Sequence, residues 1–323
     1  MLVQPRIIGV EELLLIAFAV RIGIDPNIAQ FGGVVLSWHG AMTFVAVAVA
    51  VVMVGRWARA QLIDTESVYS IAVWAVVGGI LGARFVHVID RWDFYGDNLG
   101  QILTVWQGGI GLYGAIIFGF VGGSTYVWGR QLLGRIYLGQ TMGSLASLVP
   151  RGIKRGYLNG AMYAKFKDFS VGRLADITAP AMLIAQTIGR IGDIINGEHL
   201  AIRTDAAWGF IYSHPGSFSF HQWGLTASHP VIVYEMIWNM VVLAVIWKLR
   251  DRLVPPGMLF AAYLMLYALG RFVIQFMRLD KEWFAGLQEA HIISIIVLVV
   301  CVPLIAYRAR WVTTSRSSSK SSK

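Results

Sequence analysis

The sequence predicts an all-α polytopic membrane protein with seven transmembrane helices, its N-terminus outside and its C-terminus cytoplasmic. Three observations carry that prediction. The 323 residues are 56% hydrophobic and only 14% charged, whereas ordinary soluble domains are about 25% charged, and mean hydropathy is +0.62. Apolar stretches of roughly twenty residues recur, each long enough to cross a hydrocarbon core of about 30 Å. Basic residues gather in alternate connections, as they do on the cytoplasmic side of membrane proteins.

Residues 1–35 form an N-terminal segment. Its apolar run, Leu13–Val20, follows Glu11 and Glu12. A secretory signal would place a basic residue there, so the run reads as an interfacial helix. The spans then fall at 36–57, 67–89, 107–129, 175–193, 229–249, 257–277 and 289–308, within one domain at 36–310. The connection at 130–174 is enlarged and carries eight Lys/Arg against Asp168. Arg56 and Arg59 follow the first span; Lys248, Arg250 and Arg252 follow the fifth. All fall on the side of the basic tail 311–323, "VTTSRSSSKSSK" from its second residue, which reads as disordered.

Formal net charge is +9 and pI about 9.8. In this setting the excess orients the chain and lets the 130–174 loop touch anionic headgroups. No nucleic-acid motif accompanies it, so no nucleic-acid partner is expected. The single cysteine, Cys301, lies in an apolar run and reads as a packing residue. No metal-ligand spacing and no nucleotide fingerprint is visible, and no metal or cofactor is expected.

Polar groups inside spans are costly, about 2.5–3.5 kcal/mol for a central arginine on insertion scales. Here six spans place such groups at their outer ends: His39; Arg84 and His87; Tyr113; Arg190; His229, Tyr234 and Glu235; Tyr267 and Arg271. Spacings of three and four put Arg84 with His87, and Tyr267 with Arg271, on common faces. Two embedded guanidiniums, Arg190 and Arg271, do not neutralise each other. A phosphate would satisfy both, because arginine offers planar paired donors. The glycines of "GGIGLYGA" (Gly109 and Gly114 among them) and "GRIG" allow close approach of backbone or ligand and break regular helix at a cavity. Structural readings stand beside these: Arg190 paired with Asp193, Arg84 and Arg278 snorkelling to the interface, and the third-span glycines as helix-packing contacts.

With "GRIGDIINGE" (189–198), "SWHGAM", "VWQGGIGLYGA", "HPVIVYE" and "YALGRFVIQFMR" in that order, the chain resembles the prolipoprotein diacylglyceryl transferases of bacteria from about residue 30 to 310. The resemblance implies transfer of the diacylglyceryl group of phosphatidylglycerol to the lipobox cysteine thiol of a prolipoprotein signal peptide, with release of glycerol phosphate. It implies an inner-membrane enzyme working at the outer face, before signal peptidase II. It also implies that the nucleophile comes with the substrate. Where the family commonly has tyrosine, histidine, asparagine, glycine and glutamate, this chain has His39, Tyr113, Asp193, Ala201 and Gln275.

On that basis Arg190 and Arg271 are expected to clamp the phosphodiester. Asn196 and Glu198 would order the loop and the glycerol head, and Tyr267 would orient Arg271. Asp193, Gly109 and Gly114 complete the expected substrate contacts. The general base stays open among His39, His87 and Asp193, with Tyr113 a hydrogen-bond donor rather than a base because a free phenol has a pKa of about 10. Two other readings compete: a lipid-binding relative without activity, and a transporter of an anionic solute, against which the outer-face position of the cluster and the lack of an internal repeat weigh.

Overall fold

The computed structural model describes residues 19–32, 34–104, 111–137 and 169–312. Seven long helices dominate them: α1 (Trp38–Ala60), α2 (Thr65–Asp90), α3 (Leu112–Tyr137), α4 (Val171–Asn196), α5 (Val231–Leu249), α6 (Met258–Gln275) and α7 (Glu289–Arg308). Each coincides with one expected span. Five of them (α1, α2, α5, α6 and α7) are long and apolar enough to cross a bilayer. Helix α4 is equally long but carries Arg173, Asp176, Arg190 and Asp193. The interfacial helix expected at the N-terminus, residues 138–168 of the basic loop, Gly109 and the tail from 313 lie outside the described residues.

The chain divides into two compact units: Met1–Phe31, Val35–Ala50 and Thr178–Lys323 in the first, Gly32–Val34 and Val51–Ile177 in the second. In the second, the N-cap Asp64 accepts from the Ser67 amide and hydroxyl at 2.9 and 2.7 Å and starts α2. Helices α2 and α3 then pack through small residues. A Cβ on Gly122 would lie 2.6 Å from the Trp74 carbonyl, and one on Gly114 would collide with the Gly82 carbonyl. This is the close backbone approach that small residues permit between membrane helices. Gly114 and Gly122 therefore sit within regular helix and serve packing, as the structural reading of the third-span glycines expected; Gly111 precedes α3, and Gly108 and Gly109 lie outside the described residues. Arg84 does not snorkel: it is buried, its Nε and Nη2 donate to the Ile102 and Gln101 carbonyls at 2.7 and 2.5 Å, and it lies over the Tyr95 ring.

In the first unit, α4, α5 and α6 share an apolar core of Ala179, Leu183, Val242, Ile246, Leu259, Ala262 and Tyr263. The Trp238 indole donates to the Leu266 carbonyl at 2.9 Å and fills the space beside Gly270, where any side chain would collide with it. Burying such side chains contributes roughly 1.5–3 kcal/mol each. Large apolar side chains elsewhere face outward, among them Phe44 on α1 and Val299 on α7, as a bilayer-solvated surface requires. Cys301 is buried in α7.

Between α4 and α5 the chain leaves helical form. Gly197, at φ +62°, ends α4 in the left-handed region that glycine tolerates. The strand Val20–Ile22 pairs in parallel with Phe210–Tyr212. Residues 200–203 run between two neighbours: Leu279 donates to Leu200 and Ile202 to Met277, while His229 donates to Ile202. The segment thus ties the C-terminal end of α4 to the end of α6 and the start of α5. Those are the places where the charged side chains sit.

Candidate active site

Four helix ends of the first unit supply the polar cluster. Helix α4 brings Arg190 and Asp193 on its last turns, three residues apart on one face. Helix α5 brings Glu235 one turn past its start, and α6 brings Arg271, followed by Arg278 just beyond its end. Helix α1 opens with Trp38 and His39.

Glu235 is the hub. One carboxylate oxygen, Oε1, pairs with Arg271 and lies 3.7 Å from Arg278 Nη1; the other, Oε2, pairs with Arg190. Its side chain is 6% exposed. The expectation that Arg190 and Arg271 come together is met, but the anion between them belongs to the protein. The sequence reading sought a phosphate there because two guanidiniums do not neutralise each other; Glu235, 45 positions beyond Arg190, already bridges them. Arg190 is also paired as its structural reading anticipated, its Nη1 donating to Asp193 Oδ2 at 2.7 Å. Arg278 is buried rather than snorkelling. Its Nε donates to Asp280 Oδ2 at 2.8 Å and its Nη2 to His199 Nδ1 at 2.8 Å. Three guanidiniums thus face the carboxylates of Asp193, Glu235 and Asp280, an arrangement that buried charge requires.

Arg271 remains the least committed of the three. Only its Nη1 is paired, and among the described residues nothing engages its Nε or Nη2. That free edge is a two-donor fork of the kind that takes a phosphate. Tyr267 stands one turn before it on α6, its ring 6.2 Å from Tyr263, whose hydroxyl accepts from Gln186 at 2.9 Å.

His199 organises the middle. Arg278 Nη2 lies 2.8 Å from its Nδ1, while its Nε2 lies 3.2 Å from Asp193 Oδ2 and 3.4 Å from Arg190 Nη1; the shorter arginine contact favours the tautomer with its proton on Nε2, toward Asp193. Beyond α6, Asp280 accepts from Arg278 and from Gln275 Nε2 at 2.7 Å. Burial works against its charge, but these donors hold its carboxyl below the ordinary range. Gln275 also donates to Gln288, which caps α7 and donates to the Arg278 carbonyl at 2.8 Å.

At the opposite edge, His39 Nδ1 lies 2.5 Å from Asp193 Oδ1 and 3.2 Å from Glu198 Oε1. The His39 amide donates to Asn196 Oδ1 at 3.4 Å. Gly192 makes this approach possible, since a Cβ there would lie 2.8 Å from both His39 Cα and the Trp38 carbonyl. His39, Asp193 and Glu198 place one ligand atom each within 4.8 Å of one another, a composition that could hold a divalent ion and that no spacing along the chain reveals. The 2.5 Å separation argues for a hydrogen bond instead: two ligands each about 2.1 Å from a metal stand about 3 Å apart.

Of the other expected site residues, His87 belongs to the second unit and packs edge-on against Tyr95 at 5.8 Å. Tyr113 lies in the first turn of α3 in that same unit. The sequence reading missed His199, placed Glu235 in the outer cluster without giving it a role, and misplaced Arg278. "GEHL" and "HPVIVYE" contained the first two, yet His199 follows the end of α4 and the arginines around Glu235 come from other segments.

This constellation sits on the motifs that suggested a family. The family model described as prolipoprotein diacylglyceryl transferase matches residues 26–156 and 152–307, nearly the whole described chain. The chain belongs to the prolipoprotein diacylglyceryl transferase family. It is therefore a transferase of lipoprotein biosynthesis with membrane character. Proteins named phosphatidylglycerol–prolipoprotein diacylglyceryl transferase resemble it over most of its length. The one from Listeria innocua is 29% identical over 288 residues, covering 88% of this chain and 90% of its own length. That of Acaryochloris marina is 27% identical over 286 residues, with the same coverage, and that of Lysinibacillus sphaericus 30% over 301 residues, 88% and 92%. Within this chain, the charged hub and the His39 edge are built entirely from the first compact unit.

Proposed function

We propose that the chain transfers the diacylglyceryl group of phosphatidylglycerol to the lipobox cysteine thiol of prolipoprotein signal peptides, forming a thioether and releasing glycerol phosphate. The observation that carries this reading is the uncommitted edge of Arg271 beside the Glu235 hub, a charged site on the helix ends of an otherwise apolar chain. In this reading Arg271 holds the phosphodiester and stabilises the negative charge that develops on the departing oxygen. Glu235 and Arg190 keep that guanidinium aimed, since a side chain locked by ion pairs loses little further freedom when substrate arrives. Asn196 and Glu198 line the glycerol end, and Tyr267 flanks Arg271. The acceptor supplies the nucleophilic sulfur, so no thiol of the enzyme is needed.

The same reading makes this a seven-span protein of the bacterial inner membrane with the site toward the outer face. The N-terminal segment 1–35 is extracytoplasmic, 36–310 is the catalytic domain, and the 130–174 loop and the tail are cytoplasmic. A second reading has one observation in its favour: Asp193, Glu235 and Asp280 already balance the three arginines, as they would in a relative that binds lipid without turning it over.

Mass spectrometry separates the two. Purified protein is incubated with phosphatidylglycerol and a lipobox peptide. A diacylglyceryl mass increment on the peptide cysteine is expected. Retention of phospholipid with an unchanged peptide would establish the binder.

A further inference from the structure

Two side chains from separate helices touch at the edge of the site. His39, at the start of α1, and Asp193, on the last turns of α4, stand 154 positions apart and form the 2.5 Å contact described above. Together they make a histidine–carboxylate pair.

The geometry says which nitrogen does what. Nδ1 faces two carboxylate oxygens, of Asp193 and Glu198. A neutral imidazole facing two anions places its single proton there, so Nε2 carries the lone pair. Among the described residues nothing bonds to Nε2, and the side chain is 46% exposed. Asp193 cannot swing away, because Oδ2 accepts from Arg190 at 2.7 Å and faces His199 Nε2 at 3.2 Å. The backbone on both sides is pinned too, by the Asn196 bond to the His39 amide and by the missing side chain of Gly192. A fixed carboxylate, an oriented ring and an open second nitrogen are the parts of a general base. The other candidates lack them: His87 has an aromatic neighbour and no carboxylate bond among the described residues, and Asp193 has both oxygens engaged.

We propose that His39 is the catalytic general base of this transferase and Asp193 its positioning residue, an inference that rests on the function proposed above. The acceptor S–H proton passes to His39 Nε2. The sulfur then attacks the glycerol carbon bonded to the phosphate ester. A C–S bond forms and the C–O bond breaks, its electron pair leaving on the oxygen of glycerol phosphate. The proton on Nε2 goes to that phosphate or to water, which returns the ring to its starting state. The charged groups around the ring are the carboxylates of Asp193 and Glu198, which face Nδ1, and the Arg190 guanidinium, which pairs with the other oxygen of Asp193.

The test uses the full-length protein in phosphatidylglycerol-containing micelles with a lipobox peptide. His39→Gln is expected to lower kcat about 10²- to 10⁴-fold with KM for phosphatidylglycerol within about threefold of wild type. It is also expected to abolish the acidic limb of the pH–rate profile. Asp193→Asn, which leaves the ring in place without its anion, is expected to lower kcat and move that limb; it carries the test if His39→Gln does not fold. Wild-type kcat and an unmoved acidic limb in either folded variant overturn the assignment of His39. A wild-type enzyme that modifies no peptide at any pH overturns the transferase reading itself and the dyad with it.

Discussion

Glu235 joins Arg190 to Arg271, one carboxylate oxygen turned to each guanidinium. Three helix ends therefore meet on one buried anion, and the positive charge of the site is shaped rather than free.

Removing that anion exposes what it does. Glu235→Gln keeps the shape and deletes the charge, leaving the Arg271 guanidinium without its anion while Arg190 keeps Asp193 and Arg278 keeps Asp280. Breaking a buried pair in this way costs about 3–5 kcal/mol. Thermal unfolding in detergent should fall accordingly, and peptide lipidation should be lost with it, while Glu235→Asp recovers part of the stability.

Arg271 should tolerate no cationic substitute. Arg271→Ala removes the free fork and is expected to lower kcat about 10²- to 10³-fold, the usual cost of one oxyanion-type donor. Arg271→Lys restores the charge but not the paired donors, so its rate should stay within about tenfold of the alanine variant. Steady-state kinetics on the lipobox peptide measure both.

The two glycines of "GRIG" make opposite predictions. Gly189 has open space where a Cβ would stand, whereas at Gly192 one would lie 2.8 Å from backbone atoms of His39 and Trp38. Gly189→Ala should be neutral or stabilising by up to about 1 kcal/mol through helix propensity. Gly192→Ala should cost about 1–3 kcal/mol by overpacking and should reduce kcat by pushing His39 off Asp193. Melting curves for the pair decide it.

Acid should act through Asp280. Its folded carboxyl titrates below the ordinary value near 3.9 because Arg278 and Gln275 donate to it. A depressed carboxyl contributes stability that is complete above the unfolded value and lost as pH falls through the folded one. From this group the melting temperature should be level between about pH 6 and 8 and should decline below about pH 4. Asp280→Asn should flatten that acid decline and lower the plateau by about 1 kcal/mol or less, because the side chain is 38% exposed and water screens the pair.

The helices were legible because a bilayer demands unbroken apolar length, which is a local property: Trp38–Ala60 and Glu289–Arg308 stand out on composition alone. The arginines were legible for the reverse reason, being costly where Arg190 and Arg271 lie. Their partners were not. Glu235 meets Arg271 across 36 positions, and His199 meets Arg278 across 79, through a strand-like passage of residues 200–203 that no periodicity announces. Arg278 looked like a boundary residue because it follows the last apolar turn; the chain then folds Asp280 and Gln288 back over it. The glycines misled in the same way, since "GRIG" reads as a break and is in fact continuous helix.

Cys301 has one more consequence. It is the sole sulfhydryl of the chain and is shut inside α7. In the proposed reaction it is the acceptor's cysteine that is alkylated, and burial withholds the enzyme's own sulfhydryl from that chemistry. Thiol-blocking reagents added to the folded protein should silence the peptide and spare the enzyme.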